Sequence, residues 1–229
     1  MEEGRRATGA RAQERPNKIT DVRVVKNDRC PKPSRLLAMA SHNEIEIKFR
    51  VADLSALNRR LRKAGFRLIT HRTHERNTLY DLPGQGLRKR GELLRLRKYG
   101  PEWLLTHKAK GKAGLHKTRV ETETKIADGT KMEAILKALG FAPTFRYEKF
   151  RAEWSDGKGH VVVDETPIGN FGEIEGPSRW IDRIAQALQV ARGDYLTTTY
   201  SELFFEWKKQ TGSPADEMTF SAIQRKPSR

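Results

Sequence analysis

The stretch Asn43–Arg50 alternates with a period of two. Glu44, Glu46, Lys48 and Arg50 fall on one face, and Ile45, Ile47 and Phe49 on the other, followed by Val51. A lone strand of this kind ordinarily turns its charges to water. This one returns: Glu121-Thr122-Glu123-Thr124-Lys125 repeats the Glu-x-Glu-x-Lys spacing. Each copy runs into Ala-Asp, then a helical stripe, then Gly-Phe. The stripe is Leu54, Leu57 and Leu61 in the first copy, and Met132, Ile135, Leu136 and Leu139 in the second. Asp53 and Asp128 stand where helix N-caps belong, and Gly65 and Gly140 where helices stop. Glu44 to Glu121 is 77 residues and Asp53 to Asp128 is 75, so the second joint is two residues shorter. The chain is therefore expected to hold a two-fold repeat of strand, helix and further strands.

The later strands also gather charge on one face. Arg95 and Arg97 alternate with Leu94 and Leu96, Thr106 and Lys108 with Leu105 and His107, and Lys149 and Arg151 flank Phe150. Val161–Val163 ends in Asp164, and Phe171–Gly176 carries the second-half pair Glu173 and Glu175. Acids and bases at two-residue spacing on so many strands point to a shared charged interior, as a closed barrel would create. The apolar strand faces then point outward, and the helices cover them. The expected order of elements is a strand over 43–51, a helix over 53–65, a strand over 71–82 and a turn at Pro83–Gly86. A hairpin over 93–99 and 103–110 follows, then a strand over 118–126 and a helix over 130–139. Strands over 147–154, 159–165 and 169–175 and helices over 177–190 and 200–209 complete it.

Composition narrows the partners. The 229 residues carry 45 Lys and Arg against 29 Asp and Glu, a net charge of +16, which points to a polyanion. Residues 1–38 account for ten of the cations and five of the acids. No run approaches the roughly 18 apolar residues of a membrane span, so no membrane partner is expected. The single cysteine, Cys30, and the absence of a visible signal peptide fit a reducing cytoplasm. The six histidines show no metal-ligand spacing. Residues 1–41 are expected to be a disordered extension, with Met39 a candidate native start, residues 42–210 the barrel domain, and 211–229 a flexible tail.

Nucleic acid is the default partner of such a charge. A small polyphosphate held inside the barrel is the sharper expectation. Lys48, Arg95, Arg97, Lys108, Lys149 and Arg151 supply point and bidentate phosphate contacts. Carboxylates in the same place would repel a phosphate unless a metal lies between. Mg²⁺ and Mn²⁺ take oxygen ligands and bridge carboxylates to phosphates. Glu44, Glu46, Glu121, Glu123, Glu173 and Glu175 are the candidate metal-side residues.

Glu44-x-Glu46-x-Lys48, Arg95-x-Arg97, Lys108, Glu121-x-Glu123, Lys149-x-Arg151, Asp164 and Gly169-Asn-Phe-Gly-Glu173-Ile-Glu175 stand in the order of a known motif set. Over residues 43–207 the chain resembles the CYTH superfamily, the triphosphate tunnel metalloenzymes, which include CyaB-type class IV adenylyl cyclases and thiamine triphosphatases. The resemblance implies an α+β, mainly β fold: an eight-stranded antiparallel closed barrel coated by helices. It implies Mg²⁺ or Mn²⁺, with Asp164 joining the acidic set. It implies a small-molecule triphosphate partner: ATP, thiamine triphosphate or tripolyphosphate. The segment Gly169–Glu175 and the length lean toward a CyaB-type cyclase that makes cyclic AMP and pyrophosphate. A thiamine or inorganic triphosphatase is the alternative, and a non-catalytic polyphosphate or RNA binder a further one. His71, His74, Tyr80 and Tyr147 are candidate mouth residues. The catalytic base is not identified, and the oligomeric state is open, a homodimer included.

Overall fold

The computed structural model describes residues 42–112 and 114–224. The expectations for residues 1–41, including Met39 and Cys30, lie outside the described residues. Eight strands form a closed barrel in the ring order β1-β5-β4-β3-β2-β6-β7-β8, every neighbour antiparallel. They are β1 (His42–Arg50), β2 (Arg67–Asp81), β3 (Leu93–Tyr99), β4 (Glu102–Lys108), β5 (Lys117–Ile126), β6 (Ala142–Ser155), β7 (His160–Thr166) and β8 (Gly169–Glu175). Exchanging β1–β4 with β5–β8 maps every pairing in the ring onto another, so the sequence repeat is a two-fold of the barrel. The repeat's own contacts, β1 with β5 and β2 with β6, join the two halves.

Both repeat helices start and stop as their residues require. In α1 (Leu54–Lys63) Asp53 accepts from the Ala56 amide at 2.9 Å. Asp128 does the same for Lys131 at 3.0 Å. It caps the later repeat helix, Gly129–Ala138. Gly65 and Gly140 both sit at φ +87°, a conformation that costs a side chain dearly and glycine nothing. Between the two repeat helices lies α2 (Gly86–Arg90), so Gly129–Ala138 is α3 in chain order. Two helices follow the barrel, α4 (Ser178–Ala187) and α5 (Tyr200–Thr211).

The greasy faces point outward, as expected. Ile47 and Phe49 on β1, Trp154 on β6, Val161 and Val163 on β7 and Ile174 on β8 pack against Leu57 and Leu61 of α1 and Trp180, Ile181 and Ile184 of α4. A smaller cluster joins Leu136 of α3 to Leu96 and Tyr80. Such burial of apolar side chains is the main source of stability here. Gly172 leaves room for the Phe49 ring: a Cβ there would lie 2.2 Å from Cζ.

Three expectations change. The strands β2 and β6 begin at Arg67 and Ala142, earlier than the pattern shows, because the two pair with each other through register shifts along nearly their whole length. Residues 86–90, read as the end of a turn, form α2, whose amides are held by the Asp81 carboxylate. The segment after α5 is docked, not loose, through residue 224: Met218 is fully buried and exchanges backbone hydrogen bonds with Arg146 and Glu148 of β6. The reason lies in the barrel. On its side away from β2, β6 pairs with β7 only from Phe150 to Ser155, which leaves residues 146–148 free to bond another segment. Residues 215–224 are followed by α6 (Phe220–Gln224), whose chain continues beyond the described residues.

Candidate active site in the barrel lumen

Alternation puts residues 44, 46 and 48 of β1, 75 and 77 of β2, 95 and 97 of β3, 106 and 108 of β4, 117, 119, 121 and 123 of β5, 147, 149 and 151 of β6, 164 of β7 and 173 and 175 of β8 on the inner face. They enclose a cavity of about 340 Å³. Register then decides which charges meet. Glu44 faces Arg119 and bonds it at 3.2 Å; Glu46 faces Lys117 at 3.6 Å. Lys48 faces Glu173 at 2.7 Å, and Arg151 faces Asp164 at 2.6 Å. Lys108 faces Glu121 at 2.5 Å and also holds Glu44 at 2.7 Å. Arg97 reaches Glu123 at 2.7 Å, and Arg95 reaches the same carboxylate at 3.5 Å.

Every residue of the expected cation and acid sets therefore lies on the inner face. Asp164 is fully buried, and its oxygens accept from Lys149, Arg151 and the Tyr200 hydroxyl. Glu173 is shared between Lys48 and Arg151, whose charges outweigh its burial and hold its carboxyl well below the ordinary range. Burial also works to raise Glu123, but Arg97 and Arg95 keep it lowered.

One tunnel-facing pair among the described residues is of like sign: Glu46 stands directly across from Glu175. Burial first, then the charges of Glu44 and Glu46, push the Glu175 carboxyl up to about 7. Like charges opposed on neighbouring strands are unfavourable, and a divalent cation between them relieves the conflict. The all-oxygen donor set fits Mg²⁺ or Mn²⁺ in kind. Among the described residues no three carboxylates converge on one point as they stand. The ion pairs listed above account for that: Glu44 and Glu46 are drawn toward Lys108, Arg119 and Lys117.

Several residues of the lumen were not expected. Glu75 is fully buried between Arg97 at 3.5 Å, Lys149 at 3.4 Å and Arg151 at 3.8 Å. Lys117 and Arg119 precede the second Glu-x-Glu on the same face and were legible from its parity. Tyr200, expected as wall packing, sends its hydroxyl into the lumen, with its ring 4.6 Å from the Lys48 ammonium and 4.7 Å from that of Lys149. It belongs to α5, which closes one end of the barrel by burying Leu203 and Phe204 against Phe145, Tyr147 and Phe171. Of the four candidate mouth residues, Tyr147 lines the cavity. Tyr80 turns outward to Glu133, His74 lies against Phe150, and His71 faces solvent.

Known proteins share this architecture. A family described as CYTH domain matches residues 42–200. A protein of Methanocaldococcus jannaschii, provisionally named an adenylate cyclase, is 29% identical over 171 residues, spanning 70% of this chain and 97% of its own. Adenylate cyclase CyaB of Aeromonas hydrophila is 26% identical over 132 residues, 57% of this chain and 67% of its own. The crystal structure of a provisionally named adenylate cyclase from Vibrio parahaemolyticus superposes with a TM-score of 0.63 at 21% identity, covering 72% of this chain and 99% of that one. By the extent of the match and the closed barrel with its charged lumen, the chain belongs to the CYTH domain family.

Proposed function

We propose that the chain is a metal-dependent enzyme acting on a triphosphate in the barrel lumen, and that its reaction converts ATP to cyclic AMP and pyrophosphate. The observation that carries the triphosphate is the sorted interior. Lys48, Arg95, Arg97, Lys108, Lys149 and Arg151 line one enclosed cavity together with Glu44, Glu46 and Glu175. A binder of polyanions alone has no use for Glu46 opposed to Glu175. The cyclase reaction is supported by the names of the relatives from M. jannaschii and A. hydrophila.

In this reading the six cations, with Lys117 and Arg119, take the phosphate oxygens, and Glu44, Glu46 and Glu175 hold Mg²⁺ or Mn²⁺. Glu121 and Glu123 complete the acidic set from the second repeat. Asp164, Glu173 and Glu75 keep the cations in place. The bound metal supplies neutralisation of the phosphate charge. The ribose 3′ oxygen attacks the α-phosphorus in line, and the bond to the bridging oxygen of the β-phosphate breaks. The 3′ proton passes to a base, and pyrophosphate leaves. Arginine and lysine placed before the reaction stabilise charge on the departing oxygens without reorganising.

Phosphorus NMR of reaction mixtures tests this. The full chain is incubated with Mg²⁺ or Mn²⁺ and, separately, ATP, thiamine triphosphate and tripolyphosphate. Cyclic AMP and pyrophosphate from ATP are expected, and Arg97→Ala is expected to abolish them. Orthophosphate with no cyclic product would instead show water as the nucleophile. No turnover of any of the three would leave a binding protein.

A further inference from the structure

A second cavity, of about 270 Å³, adjoins the lumen and shares Leu79, Leu93, Arg119, Thr199 and Ser201 with it. Its other walls come from α2 and its flanking loops, from Phe145 on β6 and from the first turns of α5. The chemistry changes across the shared residues. The lumen is ringed by paired charges; this side cavity is backed by Leu79, Leu93, Phe145 and Phe205.

Phe205 stands apart from the rest of α5. Leu203 and Phe204 bury the helix against the barrel, whereas Phe205 is 48% exposed. Its ring lies 6.0 Å from that of Phe145 and 5.7 Å from that of Phe204, so it is held as part of an aromatic wall. Across the cavity, Gln85 takes a left-handed backbone at φ 58°, uncommon for a residue with a side chain. It stands at the N-cap of α2, yet its side chain makes no capping hydrogen bond, which leaves the amide for another partner. An apolar wall, a few polar groups and an open path to a charged tunnel are the features of a small-molecule subsite.

We propose that this side cavity receives the organic group of a triphosphate ester, a planar heteroaromatic ring lying against Phe205 and Phe145. Polar atoms on the ring edge meet the Gln85 amide and the Ser201 hydroxyl. The phosphate chain passes Arg119 into the lumen. The proposal rests on the triphosphate reading of the lumen and narrows it: the substrate class is an aromatic-ring ester of triphosphate, not free tripolyphosphate.

Calorimetric titration of the full chain, with Mg²⁺ present, compares a non-hydrolysable ATP analogue with tripolyphosphate. The wild type is expected to bind the analogue more tightly. Phe205→Ala, at a half-exposed site, is expected to weaken the analogue roughly tenfold, the scale of one lost ring stack, and to leave tripolyphosphate unchanged. Phe205→Trp is expected to restore the analogue. Equal binding of both ligands by the wild type, or equal weakening of both by Phe205→Ala, overturns the side-cavity proposal while leaving the lumen as a triphosphate site. Failure of the wild type to bind either ligand overturns the lumen reading, and the proposal with it.

Discussion

Glu75 has no exposed surface, and burial alone would raise its carboxyl. Lys149, Arg151 and Arg97 outweigh burial and hold it below the ordinary range, so it stays charged and fixes three cations from behind. Glu175 goes the other way, pushed from 4.5 to about 7 by burial and by the Glu44 and Glu46 charges. A carboxyl raised on folding favours the folded state fully below its unfolded value and loses that stability as pH rises through the folded one. Glu175→Gln should therefore be more stable than the parent at pH 8, by an amount of the order of 3 kcal/mol, and indistinguishable at pH 4. Urea unfolding at the two values checks it; a difference independent of pH would contradict the assignment. Neither role could be read from the chain. Glu75 stands in His71-Arg72-Thr73-His74-Glu75-Arg76-Asn77, where both strand faces are polar and alternation says nothing about which side is inside.

The repeat is the unit at which local chemistry was most legible. Asp53 and Asp128, Gly65 and Gly140 are placed by the dihedral and hydrogen-bond demands of a helix end, which do not depend on the rest of the fold. Asp53→Ala and Asp128→Ala should each cost about 1 kcal/mol, with equal shifts in the denaturant midpoint on an unchanged slope. Unequal slopes would show that one repeat unfolds apart from the other. The role of α5 is of another kind. Its apolar stripe, Tyr200, Leu203, Phe204 and Trp207, is equally compatible with lying on the outer wall. It closes the barrel end because Phe145, Tyr147 and Phe171 are inward residues with no charge to pair. The covering of β6 by residues 215–219 likewise follows from strand stagger, which no local pattern carries.

For the molecule as a whole, the net charge of +16 is a poor guide to the lumen. Eight Lys and Arg line the cavity with seven Glu, and Glu75 and Asp164 pair with the cations behind them. The interior is thus close to balanced. A triphosphate with about four negative charges must displace carboxylates from their cations, and the freed carboxylates then need a counter-ion. Ligand and divalent metal are therefore expected to bind together. Tripolyphosphate with Mg²⁺ should raise the melting temperature, by the equivalent of about 2.7 kcal/mol at a hundredfold excess over Kd. Either one alone should do markedly less. Equal stabilisation by tripolyphosphate in the presence of a chelator would show a purely basic anion site. Among the described residues no helix is long and apolar enough to cross a membrane.

By itself the sequence determined the repeat, the helix ends, the polar-inside alternation and which residue types share the lumen. Each of these follows from period, capping or turn chemistry within about a dozen residues, and the ordered motifs then resembled one family. Only the tertiary structure decided which charge meets which. Pairing is set by the register between strands far apart in the chain: Glu44 with Lys108 and Arg119, Lys48 with Glu173, Glu46 against Glu175. It also decided that Tyr200 enters the lumen and that Phe205 faces a side cavity. Closing a barrel converts positions on eight separate strands into neighbours, and that closure is a property of the whole ring.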